Sequence, residues 1–178
     1  MTYTAKVAGL TRELKLCRVN DELDIAAFIM FSDVELTEKC AEELLKKCSG
    51  YDVIFTAETK GIMLAYEMAR QSGKNYYVAR KSVKLYMTDP ISVKVKSITT
   101  EKEQTLYLPK EDAEAIRGKR VLIVDDVIST GDSLRAMEEL VKEVGGIVAL
   151  KACVMAEGSA ADRDDLTYLE KLPVFPKN

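Results

Sequence analysis

Two adjacent carboxylates, Asp125 and Asp126, precede a loop of small and hydroxylated residues at positions 129–133. The run Val121–Val124 before them is apolar and rich in β-branched residues, which predicts a strand that is buried on both faces and ends at the acidic pair. After the loop, apolar residues recur at helical spacing up to a Gly-Gly pair at 145–146. In an open α/β sheet, a strand–loop–helix junction of this kind lies where ligands bind.

The loop after the acidic pair has the composition of an anion-binding site. Backbone N–H groups at a helix N-terminus favour an anion, and the hydroxyl groups of the loop add further donors. The two carboxylates would repel a phosphate, so we expect them to face hydroxyl groups or a divalent cation. A ribose 5-phosphate meets both demands, because it carries a terminal phosphate near a vicinal diol. The loop comprises Ser129, Thr130, Gly131, Asp132 and Ser133.

A second strand–loop–helix unit lies earlier in the chain, with a strand predicted at 52–57 and a helix at 62–71. In the loop between them, a glycine permits close backbone approach, and a lysine supplies a cation beside a helix N-terminus. Both features suit a second phosphate group, although such loops also contain Lys-Gly for ordinary turn reasons. The loop comprises Glu58, Thr59, Lys60 and Gly61.

A third predicted strand, at 76–79, is followed by the cations Arg80, Lys81 and Lys84. They form either a solvated basic loop or a clamp for a highly charged leaving group. The alternating residues from 86 to 109 predict a β-hairpin. A long excursion of this kind from a compact α/β pattern is a candidate lid over an active site.

The chain outside these motifs completes an α/β fold. The apolar patch Ile25–Phe31 is expected to be a strand packed against the core or part of a lid over a pocket. Residues 37–48 predict an amphipathic helix with Thr37 as its N-cap. Alternating β and α units from there on indicate a doubly wound, mostly parallel sheet with helices on both faces. We expect one domain, with a small N-terminal hood and first helix at 1–50, a core at 51–155 and a C-terminal tail at 156–178.

Composition excludes several kinds of chemistry. The chain has no histidine, which rules out a Ser-His-Asp triad and any His-ligated metal. It also has no Walker A loop and no G-x-G-x-x-G. The net charge of −3 and the absence of an apolar run of ~20 residues argue against nucleic-acid and membrane partners. Four scattered cysteines are expected to be reduced thiols in a cytoplasmic protein.

The segment Val121–Ser133 resembles the phosphoribosyl-pyrophosphate signature of type I phosphoribosyltransferases. The loop at 58–61 is similar to the pyrophosphate loop of that family, in the form found in adenine phosphoribosyltransferases. The motif Arg80-Lys81-x-x-Lys84-Leu85 resembles one in the same subfamily. The order and spacing of these motifs agree with the family from about residue 50 to residue 155.

This resemblance implies a purine phosphoribosyltransferase of purine salvage, with adenine as the preferred base. The enzyme would transfer 5-phosphoribose from phosphoribosyl pyrophosphate to the base and release pyrophosphate. The loop at 129–133 would bind the 5-phosphate, and Asp125 and Asp126 would hold the ribose hydroxyls with Mg²⁺ nearby. The loop at 58–61 and the cations at 80–84 would neutralise the pyrophosphate. Adenine-type relatives are homodimers, so a homodimer is expected.

The chain departs from the family pattern at several positions. Some relatives carry an aspartate, proposed to accept the proton of the base, where this chain has Ser129. Serine cannot fill that role, so a lid carboxylate is expected to, with Glu101 and Glu103 as the candidates. Asp132 replaces the usual glycine, and its side chain is expected to point outward. The segment starting at Phe31 stands where adenine-type enzymes contact the base, but lacks their arginine, which leaves the base open.

Other functions fit parts of the sequence. The strand Leu122–Asp126 is also similar to one in receiver domains of response regulators, but those need a phospho-accepting aspartate on a later strand. The strand predicted at 147–155 ends without one. A non-catalytic regulator that binds phosphoribosyl pyrophosphate is the more serious alternative, although the sequence shows no helix-turn-helix or basic arm. A phosphoribosyltransferase for xanthine, guanine or hypoxanthine also remains possible.

Overall fold

The computed structural model of the protein describes residues 1–96 and 103–177. Its helices are α1 (Val34–Lys47), α2 (Gly61–Ser72), α3 (Lys110–Ile116) and α4 (Asp132–Glu143), and a 3₁₀ turn spans Gly158–Asp162. Its strands are β1 (Thr2–Val7), β2 (Leu10–Arg18), β3 (Leu23–Ala26), β4 (Val53–Ala57), β5 (Tyr76–Ala79), β6 (Ile91–Lys96), β7 (Glu103–Leu108), β8 (Arg120–Ile128), β9 (Ile147–Glu157), β10 (Thr167–Leu172) and β11 (Val174–Pro176). None of the described helices is both long enough and apolar enough to span a membrane.

The central sheet has five strands in the order β10-β9-β8-β4-β5, and every neighbouring pair is parallel. The chain goes from β4 outward to β5 and then returns to place β8 on the other side of β4. This reversal confirms the predicted doubly wound sheet and makes the β4–β8 boundary its topological switch point, where open α/β sheets bind ligands.

Two hydrophobic cores lie on the two faces of this sheet. Alternate residues of the central strands enter different cores, with Ile54 and Leu122 on one face and Phe55 and Ile123 on the other. The first core is closed by α1, α2 and the N-terminal strands, and the second by α3, α4 and the hairpin β6–β7. Strands covered on both faces explain why β4 and β8 read as unbroken apolar runs.

The hood is a four-stranded antiparallel sheet in the order β1-β2-β3-β11. The N-terminal apolar patch belongs to the core below it, because Ala26, Phe28 and Met30 are buried there. The C-terminal segment is not the tail that the sequence predicted. Its residues form β10, which extends the central sheet, and β11, which completes the hood.

The N-cap of α1 is a second correction, because it lies four residues earlier than the predicted Thr37. Asp33 is the N-cap, and its Oδ1 accepts a hydrogen bond from the backbone N–H of Leu36 at 3.0 Å. The guanidinium of Arg12 binds the same carboxylate, with Nε 2.7 Å from Oδ2. Thr37 lies inside the helix, and its hydroxyl donates to the carbonyl oxygen of Asp33 at 2.9 Å. Asp33 and Thr37 are both suitable caps, and the one used is Asp33, which also forms an ion pair with Arg12 in β2.

Replacing Asp33 with alanine is expected to cost about 1 kcal/mol of unfolding free energy through loss of the cap, with the Arg12 contact adding to it. Thr37→Ala is the matched control and should cost much less. Arg12 holds the pKa of Asp33 below its ordinary 3.8. The stability from Asp33 is therefore present above that pH and is lost as the pH falls through the lower folded-state value. Urea unfolding of both variants at pH ~7 and pH ~2.5 checks this, and equal losses at pH ~7 would contradict it.

Candidate active site

The acidic pair lies within β8, which continues to Ile128, so the prediction that this strand ends at the pair is wrong. The ladder with β9 continues through the pairs Asp125↔Cys153 and Ile128↔Ala156. Asp126 is only 2% exposed, and its backbone N–H donates to Oδ1 of Asp125 at 2.9 Å. Since their backbone is fixed in a central strand, the two carboxylates hold a defined position.

The topology brings the loop at 58–61 against this acidic pair. Nζ of Lys60 lies 3.0 Å from Oδ2 of Asp126, although the two residues are far apart in the chain. Both residues are predicted site residues, but their motifs predict binding to different groups of a ligand. The side chain of Lys60 remains 49% exposed. It can therefore exchange the carboxylate for a ligand without crossing the core.

The electrostatics of the pair are dominated by burial. Desolvation, followed by the negative charge of Asp126, raises the pKa of Asp125 to about 8. Lys60 acts in the opposite direction because its positive charge favours the ionised form. The Asp125 carboxyl therefore keeps its proton to a higher pH than a free aspartate does, and a further cation bound beside the pair would favour its ionised form.

Gly61 is packed against the two central strands. A Cβ at this position would lie 2.3 Å from Oγ1 of Thr56 and 2.9 Å from Oδ1 of Asp125. The sequence suggested that this glycine lets the backbone approach a ligand closely. In the structure, it lets the backbone approach the protein's own strands β4 and β8 closely. The loop before it contains a cis peptide bond between Glu58 and Thr59.

Glu58 connects three segments around the site. Its Oε2 lies 3.0 Å from Nε of Arg80, and its Oε1 accepts from the backbone N–H of Lys81. Arg80 in turn exchanges two backbone hydrogen bonds of 2.8 Å with Tyr107 in β7. The predicted substrate-binding residue Glu58 is therefore engaged by the protein itself and anchors the basic loop. Nζ of Lys84 donates to Ser82 at 2.7 Å, and Lys81 is exposed.

The predicted phosphate loop surrounds a cavity of about 150 Å³ next to Asp125. Gly131, with φ of 82°, stands at the N-cap position of α4 in the left-handed region that suits glycine. Asp132 Oδ2 accepts from the hydroxyl of Thr130 at 3.2 Å, and its Oδ1 lies 3.9 Å from Nη2 of Arg135. The carboxylate thus contacts its own loop and helix. The cavity is lined by Asp125, Val127, Ile128, Ser129, Thr130, Gly131, Asp132, Ser133 and Leu134.

Comparison with known proteins decides what kind of protein carries this arrangement. A family model described as a phosphoribosyl transferase domain matches residues 31–174, which include both loops and the acidic pair. The chain belongs to the phosphoribosyltransferase family. The resemblance inferred from the sequence motifs is thereby confirmed.

Individual relatives agree with the family and differ in the base they use. The chain is 31% identical over 138 residues to the orotate phosphoribosyltransferase of Caldanaerobacter subterraneus subsp. tengcongensis, covering 76% of this chain and 58% of that protein. It is 36% identical over 117 residues to the adenine phosphoribosyltransferase of Rubrobacter xylanophilus, covering 65% and 60%. The matched region thus spans about three fifths of these relatives. The structure of adenine phosphoribosyltransferase from Thermoanaerobacter pseudethanolicus superposes with a TM-score of 0.68 at 25% identity, covering 80% and 84%.

The hairpin β6–β7 lies beside the predicted phosphate loop. Oε1 of Gln104 accepts from the hydroxyl of Ser133 at 3.5 Å, a long contact that places β7 next to the N-terminus of α4. Among the candidate lid carboxylates, Glu103 lies 3.8 Å from Nζ of Lys94 across the hairpin. Glu101 lies outside the described residues.

The segment around Phe31 lies next to the start of α2. Phe31 itself is 46% exposed. Its neighbours Met30 and Ser32 line a groove of about 500 Å³ together with Ile62 and Met63, which directly follow the loop at 58–61. A base contact by Phe31 stays a prediction.

Two residues at this site escaped the sequence analysis. Thr56 is completely buried in β4 and faces Gly61. Arg163 reaches the phosphate loop, since its Nη1 would lie 3.1 Å from a Cβ at Gly131. Arg163 stands in a polar segment without periodicity, so no sequence signal distinguished it from an ordinary surface arginine.

The donor set fits Mg²⁺ bound together with a ligand. Among residues 1–96 and 103–177, no group of three or more His, Cys, Asp or Glu side chains is arranged to hold a metal ion. Mg²⁺ commonly uses one or two carboxylates and takes its remaining ligands from water and substrate oxygens. Asp125 and Asp126 can supply the protein part of such a site.

Proposed function

We propose that the protein transfers a 5-phosphoribosyl group from phosphoribosyl pyrophosphate to a nucleobase and releases pyrophosphate. The observation that supports this most directly is the meeting of two separate motifs at the switch point of the sheet. The loop at 58–61 follows β4, the acidic pair lies on β8, and Lys60 and Asp126 are 3.0 Å apart. One ligand that carries a diphosphate next to a ribose spans both motifs.

Each group of residues then has a defined task. Backbone N–H groups and hydroxyls at 129–133 bind the 5-phosphate, and Asp125 and Asp126 accept hydrogen bonds from the ribose hydroxyls. Lys60, with the cations of the basic loop, stabilises the charge that develops on the departing pyrophosphate. Bound Mg²⁺ would further neutralise the diphosphate. The ribosyl centre becomes oxocarbenium-like as the bond breaks, so the rate depends on positioning and on exclusion of water.

The proton of the base requires an acceptor other than Ser129, because a serine hydroxyl is not a base at neutral pH. We assign that role to a carboxylate of the hairpin, Glu101 or Glu103. Glu103 precedes Gln104, whose side chain contacts the phosphate loop. This contact supports a hairpin that closes over bound substrate.

We assign a purine base, preferentially adenine, and a role in purine salvage. The support is the adenine-type form of the loop at 58–61 and of the motif Arg80-Lys81-x-x-Lys84-Leu85. The Rubrobacter relative acts on adenine by its name, whereas the Caldanaerobacter relative acts on orotate. The choice of base therefore needs direct measurement.

A homodimer and a cytoplasmic location complete the proposal. The basic loop carries the exposed side chains of Val83, Leu85 and Tyr86, which are 53%, 109% and 65% exposed. A second subunit that covers this loop would bury them and bring its cations toward the neighbouring site. Four unpaired cysteines, three of them buried, suit a reducing compartment.

A panel of bases tests the proposed activity. The protein is incubated with phosphoribosyl pyrophosphate, Mg²⁺ and adenine, guanine, hypoxanthine, xanthine or orotate, and released pyrophosphate is measured. We expect release with one base, adenine, and very little without a base, because water is excluded. Tight binding of phosphoribosyl pyrophosphate without release for any base would contradict the proposal and favour a regulator.

A further inference from the structure

We propose that Arg163 is a binding residue for the terminal phosphate of the sugar, acting from outside the loop that forms the cradle. The inference rests on the proposed function, since it adds a residue to the same site. Arg163 belongs to no motif in the sequence and lies in the segment between β9 and β10. Its ligand would be a phosphomonoester dianion on a ribose.

The position of Arg163 is the first support. Its Nη1 would lie 3.1 Å from a Cβ built on Gly131, so the guanidinium lies against the backbone at the N-terminus of α4. The cavity of the phosphate loop is lined by this same glycine. Arg163 is not itself part of this lining, so it would meet a phosphate bound by the N–H groups of the loop beside Gly131.

The orientation of Arg163 is the second support. Its Nε and Nη2 each lie 2.9 Å from an oxygen of Asp165, in a two-pronged contact that fixes the plane of the guanidinium. Lys151 binds Asp165 and also lies 3.1 Å from Oε1 of Glu138 in α4. The arginine is thus connected to the helix that begins at the phosphate loop. With Nε and Nη2 held by Asp165, Nη1 is the nitrogen directed at Gly131.

The charge balance of the loop is the third support. Asp132, which lies 3.9 Å from Nη2 of Arg135, places a carboxylate among the residues that line the cavity, and Asp125 belongs to the same lining. A phosphate dianion would add two negative charges to this region, at a cost in repulsion. Arg163 supplies a positive charge beside Gly131 of the loop, and its side chain is 34% exposed. Arginine suits this task because its planar guanidinium binds phosphate oxygens in pairs.

Calorimetric titration with ribose 5-phosphate at low ionic strength tests the assignment. We expect Arg163→Gln to weaken binding about tenfold, the scale of one charge-assisted hydrogen bond that is partly exposed to solvent. Arg163→Lys should recover part of the loss, because it keeps the charge. Asp165→Asn should weaken binding by a smaller factor. The positive charge of Arg163 remains in this variant, but the contact that orients its guanidinium is lost. Thermal unfolding of each variant reports whether folding is affected.

Lys142→Gln is the matched control, since Lys142 is a cation of α4 that pairs with Glu139 and is 56% exposed. Its affinity for ribose 5-phosphate should equal that of the wild type. Equal affinities for Arg163→Gln and the wild type would overturn the role of Arg163 alone. The same would follow if Lys142→Gln lost as much affinity as Arg163→Gln. A wild-type protein that binds no ribose 5-phosphate would overturn the phosphate loop itself, and both proposals with it.

Discussion

Replacing Asp125 and Asp126 together with asparagine is expected to lower pyrophosphate release by about a thousandfold or more without lowering the melting temperature. The loss follows because groups that hold the ribose and its cation in a water-excluded site contribute several powers of ten to the rate. The ladder of β8 with β9 uses only backbone groups, and the amide oxygens of asparagine can still accept from Lys60 and from the backbone N–H of residue 126. Steady-state kinetics and thermal unfolding of the double variant provide the two measurements.

Asp125 also gives the stability of the wild-type protein a distinct dependence on pH. The folded protein raises the pKa of Asp125 from 3.8 to about 8, so it binds that proton more tightly than the unfolded chain does. The resulting stability is fully present below pH 3.8 and is lost as the pH rises to about 8. We expect the unfolding free energy of metal-free Asp125→Asn to fall less than that of the metal-free wild type between pH 3.8 and about 8. Urea unfolding at several pH values measures this difference.

Asp52 at the opposite end of the same strands provides the matched control. It accepts from the backbone N–H of Arg120 at 2.8 Å, and that hydrogen-bonded arginine lowers its pKa to about 2. Asp52→Asn should therefore reduce stability at neutral pH and leave turnover unchanged, the reverse of the acidic pair. A large stability loss in the Asp125 and Asp126 double variant, similar to or above that of Asp52→Asn, would mean that the pair is structural.

Gly61→Ala is expected to lower both the unfolding free energy, by roughly 2–3 kcal/mol, and the rate of pyrophosphate release. The new methyl group would lie 2.3 Å from Oγ1 of Thr56, which is completely buried and cannot move aside. The start of α2 must therefore shift, and Lys60 moves with it away from Asp126. Urea unfolding and steady-state kinetics measure the two effects.

Gly73→Ala is the control for backbone strain without a clash. Gly73 has a φ of 69° at the end of α2, and a Cβ there would meet nothing within 4 Å. We expect this change to cost roughly 1 kcal/mol and to leave the rate unchanged. Adding Thr56→Ala to Gly61→Ala should restore part of the lost stability, because it removes the nearest clash. A Gly61→Ala variant with wild-type stability and rate would show that the close packing is dispensable.

Much of the fold was predictable because its signals are local. The runs Val53–Phe55 and Val121–Val124 are apolar without interruption, and each is followed by a loop and a helix with one apolar face. Two strand–loop–helix units in a parallel sheet place the carboxyl ends of their strands at the same edge. The acidic pair and the loop at 58–61 could therefore be assigned to one site. The hairpin was recognisable by its alternation.

The remaining features depend on partners that are distant in the chain. Both Asp33 and Thr37 are good helix caps, and the preference for Asp33 coincides with its contact to Arg12 in β2. The extension of β8 through Asp125 and Asp126 opposes the low strand propensity of aspartate, and the ladder with β9 overrides it. Arg163 meets the phosphate loop only after β9 and β10 have brought its segment there. Local patterns contain none of this information.

The hood joins segments from both ends of the described chain, since Val174 in β11 pairs with Ile25 in β3. During synthesis the strands β4, β8 and β9 are made before β11, so the acidic pair and its loop exist while the hood still has an open edge. A nascent chain that ends before residue 174 would carry this candidate site under an incomplete hood. Closure of the hood therefore waits for a strand that follows β10, the last strand of the central sheet.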